Sequence, residues 1–115
     1  MDYLVAAPRR ATHRLTAVVA QLRQARVRVV QQTMKGREAA LVSAAVAAGL
    51  AQQAAFVVVI GAPGTGHDEV LVIESLAAHR QGRRTGNLTR HSKKMGIGAL
   101  VAAAHRPRRQ VKERS

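Results

Sequence analysis

The chain has 115 residues, no cysteine, and a formal net charge of +13 from 19 Lys and Arg against 6 Asp and Glu. This length allows one small domain with a modest core, and the lack of cysteine excludes disulfides and thiolate metal sites. The positive charge favours polyanionic partners: nucleotides, nucleic acid or an anionic membrane surface. One Phe and one Tyr give no aromatic platform for stacking bases, so nucleic acid would bind through its phosphates. The five histidines are not spaced like metal ligands, and no metal site is predicted among the side chains.

The N-terminal third predicts a strand, a helix and a second strand. Tyr3–Ala7 is a short apolar run that Pro8 ends, as in a buried strand. Thr12–Arg26 predicts a helix, because its apolar residues recur at helical spacing with arginines opposite; they are Leu15, Val18, Val19 and Leu22. Val27–Gln31 is β-branched and predicts the second strand.

The middle of the chain repeats this alternation. A polar linker, Gln32–Gly36, leads into an alanine-rich helix predicted over Arg37–Gln53. Phe56–Ile60 is an unbroken apolar run of the kind that parallel sheets bury on both faces. A helical pattern is then predicted over His67–His79, with acidic residues in its first turn.

Residues 61–66, Gly-Ala-Pro-Gly-Thr-Gly, connect the third strand to that helix. A glycine-rich turn followed by a helix N-terminus can bind phosphate through backbone N–H groups. The stretch is not a Walker A loop, because His67 and Asp68 stand where that motif needs Lys and Ser or Thr. The alternative is an ordinary glycine-rich connection in an α/β domain.

Three strands alternating with three helices predict a three-layer, Rossmann-like α/β fold with a small parallel sheet. Ligands of such sheets bind at the carboxyl ends of the strands. The loops after Ala7, Gln31 and Ile60 all leave from those ends, so the sequence places its candidate site on one rim.

The C-terminal part is harder to assign. Arg80–Arg84 is charged and short, and no strand is predicted there. Gly98–His105 predicts a short last helix. Residues 106–115 have little apolar content and are expected to form a basic flexible tail after a single domain over residues 1–105.

Residues 39–66 contain no charge and must be considered as a membrane span. Against a span, Gln52 and Gln53 interrupt the apolar stretch, and Lys and Arg flank it on both sides, so no orientation is encoded. A basic membrane-spanning protein is therefore kept as an alternative, and so is a small basic protein that binds nucleic acid through charge.

Four motifs follow one another in an order that resembles the N-terminal domain of the diacylglycerol kinase-like lipid kinases. The strand ending at Pro8 precedes a basic turn, and Thr33 stands before Gly36-Arg37-Glu38-Ala39. The loop Gly61-Ala62-Pro63-Gly64-Thr65 is similar to the family's Gly-Gly-Asp-Gly-Thr. Arg84-Thr85-Gly86-Asn87, followed by Met95-Gly96-Ile97, resembles its Gly-Thr-Gly-Asn and Leu-Gly-Ile signature.

The resemblance implies a cytoplasmic domain, or one peripheral at the membrane, that binds ATP with Mg²⁺ for phosphoryl transfer to a lipid hydroxyl. It implies nucleotide contacts from nine residues: Thr33, Gly61, Gly64, Thr65, Gly66, Glu69, Thr85, Gly86 and Asn87. The family's general base lies in a second domain, so the partners implied are a nucleotide, a lipid substrate or membrane surface, and a second domain or another copy of the chain.

Three positions depart from the family pattern. Pro63 stands where the loop has Asp, Ala7 where the opening strand has Asn, and Arg84 where Gly precedes the threonine. With no base to nominate, no catalytic residue is assigned, and the chain alone is predicted to lack lipid kinase turnover.

Overall fold

The computed structural model describes residues 2–35, 38–74 and 92–105. They form five strands and three α-helices, and a short 3-10 turn over Arg9–Ala11 leads into the first helix. The order along the chain is β1 (Asp2–Pro8), α1 (Thr12–Gln24), β2 (Arg28–Met34), α2 (Glu38–Ala51), β3 (Phe56–Ile60), β4 (Glu69–Glu74), β5 (Ser92–Gly96) and α3 (Ile97–His105).

The strands form one mixed sheet in the order β2-β1-β3-β4-β5. β1 is parallel to β2 and β3, and Val5 pairs with Gln31 on one side and with Val58 on the other. β4 is antiparallel to both β3 and β5. The three predicted strands are therefore parallel, with their carboxyl ends on one rim as predicted, but β4 and β5 make the sheet mixed and not purely parallel.

Alternate residues of β1 face opposite sides of the sheet, and each side has its own core. Tyr3, Val5 and Ala7 belong to a core with the buried face of α1 and with Leu100 and Ala104 of α3. Leu4 and Ala6 belong to a second core with Leu41 and Ala45 of α2. The described residues thus form an α/β structure in three layers, which confirms the α/β class predicted from the alternation.

The two longer helices agree with their patterns. The four apolar residues predicted to form one face of α1 are all buried, and the helix ends before Arg26, whose φ of 65° is left-handed. α2 packs closely on the sheet, because a Cβ at Gly49 would overlap the side chain of Val57. The final helix α3 begins one residue before its predicted start.

The uncharged stretch 39–66 forms most of α2, a turn, β3 and the glycine-rich residues 61–66. α2 has 14 residues and is about 21 Å long, short of the roughly 30 Å hydrocarbon core of a bilayer. No helix within the described ranges is long and apolar enough to cross a membrane.

The helix predicted over His67–His79 is the main correction. Residues 69–74 form β4 instead, and residues 75–79 lie outside the described ones. Val70 and Val72 face the core below α1 and α3, whereas Ile73 faces the opposite core. This two-residue alternation lets β4 fill both cores between β3 and β5, and a helix in its place would leave Val57 to Ile60 without their antiparallel partner.

β2 also differs from its predicted bounds. It begins at Arg28 and continues through Gln32 and Thr33 to Met34, where a polar linker was expected. The extension follows from pairing, since β1 runs to Pro8 and holds Met34 opposite it in the parallel register. Thr33 is therefore a strand residue and not a loop residue.

Candidate functional site

The glycine loop is an eight-residue connection, residues 61–68, between β3 and the antiparallel β4. The Thr65 N–H donates to the Ala62 carbonyl oxygen at 3.2 Å, and Gly64 has a φ of +84°. Such a turn takes proline at its second position and a left-handed glycine at its third, as in a type II turn. Pro63 and Gly64 are thus the residues that this turn requires, which accounts for the proline.

Several polar groups of the loop bond within the loop itself. The Thr65 hydroxyl donates to the Ala62 carbonyl oxygen at 2.7 Å. The Gly66 N–H donates to Oε1 of Glu69 at 2.7 Å, and the Glu69 N–H donates to the Gly66 carbonyl oxygen at 3.2 Å. These bonds hold the shape of the loop and occupy the donors of Thr65 and the N–H groups of Gly66 and Glu69.

The rest of the loop is fastened to the C-terminal part of the sheet. Lys94 Nζ donates to the Gly64 carbonyl oxygen at 3.1 Å, and the Ile97 N–H donates to the Asp68 carbonyl oxygen at 3.2 Å. Because β4 and not a helix follows the loop, no helix that begins at the end of the loop adds its dipole to the loop amides. The prediction of a phosphate-binding helix N-terminus after Gly66 was therefore wrong.

A helix N-terminus does lie close to the loop, and it belongs to α1. A cavity of about 410 Å³, which we call the loop cleft, is lined by Pro8, Arg10, Ala11, Arg14 and residues 61–67. The N-cap residue Ala11 makes no side-chain capping bond, and the first turn of α1 has no acidic residue. The positive end of the α1 dipole therefore meets the loop cleft without a carboxylate to neutralise it.

Arg14 is the unusual side chain of this cleft. Its Nη2 atom is buried and has no hydrogen-bond partner among the described residues. A buried polar group left without a partner costs about 1–3 kcal/mol, and more when charged, so each one needs an explanation. An anion in the loop cleft within reach of Nη2 would supply the acceptor that this atom lacks.

A second cavity of about 310 Å³, which we call the β2 cavity, lies at the carboxyl ends of β1 and β2. It is lined by Pro8, Arg9, Arg10, Met34 and Lys35. Pro8 and Arg10 line both cavities, so the two are neighbours across the end of β1.

The predicted site residues are only partly brought together. Gly61, Gly64, Thr65 and Gly66 line the loop cleft, and Glu69 is bonded to the loop at Gly66. Thr33 is exposed on β2 and lines neither cavity. Thr85, Gly86 and Asn87 lie outside the described residues.

Sequence reasoning missed the cations of the rim: Arg10, Arg14 and Lys35. A signal for them exists, because basic residues directly after a strand lie at its carboxyl end, where α/β sheets bind their ligands. Arg10 and Lys35 follow β1 and β2 in this way, and Arg14 is in the first turn of the helix after β1.

No protein-family model matches the chain, and no curated protein matches it in sequence.

Proposed function

We propose that the chain binds a nucleotide through its phosphate groups in the loop cleft, between the glycine loop and the first turn of α1. The observation that carries this proposal is the buried Nη2 atom of Arg14, which has no protein acceptor among the described residues and belongs to a side chain that lines the cleft.

The chemistry of the cleft suits a phosphate group. Arginine presents several donors in a planar fork that matches phosphate oxygens, and such charge-assisted bonds are about twice as strong as neutral ones. Arg10 adds a second guanidinium to the lining, and the α1 N-terminus adds partial positive charge. The glycine loop supplies the opposite wall, so specificity for the anion rests on side chains more than on loop amides.

The resemblance to the diacylglycerol kinase-like lipid kinases supports ATP as the nucleotide and a Rossmann-like nucleotide domain as the fold. A cytoplasmic setting, with the basic rim close to an anionic membrane surface, belongs to the same proposal. Phosphoryl transfer to a lipid hydroxyl also needs a general base. Asp68 and Glu69 do not line the loop cleft, so a base and an acceptor site would come from a second domain or another chain.

Mg²⁺ does not find a ligand set in the described part of the chain. No three His, Asp or Glu side chains there are grouped so that they could hold a metal ion, and magnesium prefers carboxylate and phosphate oxygens. The residues of the cleft fit the phosphates of ATP but not a metal ion bound by the protein.

The test is a calorimetric titration of ATP into the wild type and Arg14→Gln. Loss of a charge-assisted bond of about 1.5–3 kcal/mol predicts that affinity falls roughly 10- to 100-fold. The control is Arg23→Gln, because Arg23 is exposed in the last turn of the same helix. This substitution removes the same charge about 14 Å away from Arg14 along the helix axis. Unchanged ATP affinity in Arg14→Gln would refute the proposal.

Binding of nucleic acid through charge is the second candidate, favoured by the basic residues that follow both β1 and β2 on the rim and by the net charge of +13. Such binding depends on the number of phosphates neutralised and falls steeply with salt. If Arg14→Gln and Arg23→Gln weaken binding of a DNA duplex equally, and ATP does not compete, this candidate replaces the first.

A further inference from the structure

We propose that the ligand of the loop cleft carries a second anionic group, separated from the first by a spacer, and that the β2 cavity binds it. The proposal rests on the proposed function for the first phosphate alone. The ligand class is a small molecule with two separate phosphate-bearing ends, such as a nucleotide that carries a further phosphate group apart from its phosphate chain.

The position of the two cavities supports one ligand across both. They share Pro8 and Arg10 at the carboxyl end of β1, where ligands of α/β sheets bind. Pro8 has no N–H to donate, so the part of the ligand that crosses it meets an apolar ring. An uncharged spacer between two anionic ends suits this surface.

The charges of the β2 cavity support an anion as its occupant. Three of its five lining residues, Arg9, Arg10 and Lys35, are cationic, and none is acidic. Its apolar lining comes from Pro8 and from Met34, which is 8% exposed. These positive charges attract an anion to the cavity.

The experiment compares alkane-α,ω-diyl bisphosphates of increasing length with the matching alkyl monophosphates, by calorimetry at low ionic strength. A bisphosphate whose spacer fits should bind about tenfold or more tightly than its monophosphate, because its second group binds as an intramolecular step. Lys35→Gln should abolish this gain, because it removes one of the cations that line the β2 cavity. The control is Lys93→Gln on β5, which is exposed, lines neither cavity and removes the same charge.

The outcomes separate the two proposals. If no spacer length gives a gain, or if Lys93→Gln reduces the gain as much as Lys35→Gln, the second site does not exist. If Arg14→Gln leaves monophosphate binding unchanged while Lys35→Gln still abolishes the gain, the proposed function fails and the β2 cavity stands. An oligonucleotide that outcompetes every bisphosphate and gains affinity with each added nucleotide would overturn the small-molecule class.

Discussion

The parallel part of the sheet, β1 to β3, and the antiparallel part, β4 and β5, are built differently. β1 is buried from Tyr3 to Pro8, with a helix layer on each side. β5 has no buried residue, and Lys93 and Lys94 are exposed on it. The parallel part therefore supplies the core and the cationic rim, while the antiparallel part extends the sheet and fastens the glycine loop through Lys94 and Ile97.

The two walls of the candidate ligand site depend on different parts of the sheet. Arg10 and Arg14 follow the central strand β1, whose backbone pairs on both sides. The glycine loop, in contrast, bridges the two parts, leaving from β3 and entering β4. A ligand in the loop cleft would contact a fixed cationic wall and a loop whose position depends on the antiparallel part.

The largest expected effect tests whether both parts unfold together. Leu4 of β1 and Ile73 of β4 are 0% and 1% exposed, so Leu4→Ala and Ile73→Ala should each lower the free energy of unfolding by about 2–5 kcal/mol in urea titrations. Leu71→Ala is the control and should lose less, because Leu71 is half-buried. If Ile73→Ala costs much less than Leu4→Ala, β4 adds little to the core and the two parts are energetically separate.

The same comparison explains what the sequence could reveal. β1 and β3 are apolar runs with clear ends, and the face of α1 has helical spacing, so these elements follow from local pattern alone. Residues 69–74 combine acidic ends with an apolar middle that suits either a helix or a strand. Only pairing with β3 and β5 decides between them, and that pairing is tertiary.

For the candidate site, too, local sequence predicts some residues and not others. The glycine loop was found from its composition, and Gly61, Gly64, Thr65 and Gly66 do line a cleft. The position of Arg14 after β1 is a sequence signal, but the lack of a partner for its Nη2 atom is visible only once α1 and the loop are brought together. The sequence predicts a loop at Thr33, because nothing local shows that pairing with β1 extends β2 to Met34.

The next effect contrasts two helical glycines, Gly49 of α2 and Gly98 of α3. Ala normally stabilises a helix by up to about 1 kcal/mol relative to Gly, and a Cβ at Gly98 of α3 meets nothing within 4 Å. Gly98→Ala should therefore raise the melting temperature. Gly49→Ala should lower stability by about 1–3 kcal/mol instead, because its Cβ would overlap the buried Val57 side chain. Two shifts of the same sign would mean that α2 does not pack on β3 as closely as described.

A smaller effect is expected at the loop that joins the two parts. Gly64 has a φ of +84° with open space around it, so Gly64→Ala should cost about 1–2 kcal/mol from backbone strain alone. Gly66→Ala is the matched control: its φ is not left-handed, and its Cβ would meet only the side chain of Glu69, at 3.3 Å from Oε1. Equal losses in the two variants, measured by thermal unfolding, would contradict the type II turn.

The smallest effect concerns the end of the parallel part opposite the rim, where Tyr3 stacks on Phe56 with ring centroids 5.1 Å apart. Burial raises the pKa of Tyr3 above 10.0, because the phenolate is disfavoured there. A raised folded-state pKa gives stability that is present below the unfolded pKa of about 10 and is lost as pH rises through the folded value. The wild type should therefore lose more unfolding free energy than Tyr3→Phe between neutral and alkaline pH, in parallel urea titrations.

ATP affinity at neutral pH should be the same in both proteins, because Tyr3 lines neither cavity. Identical pH profiles would show that the phenol is solvated and that the amino end of the parallel part is less tightly closed than its rim.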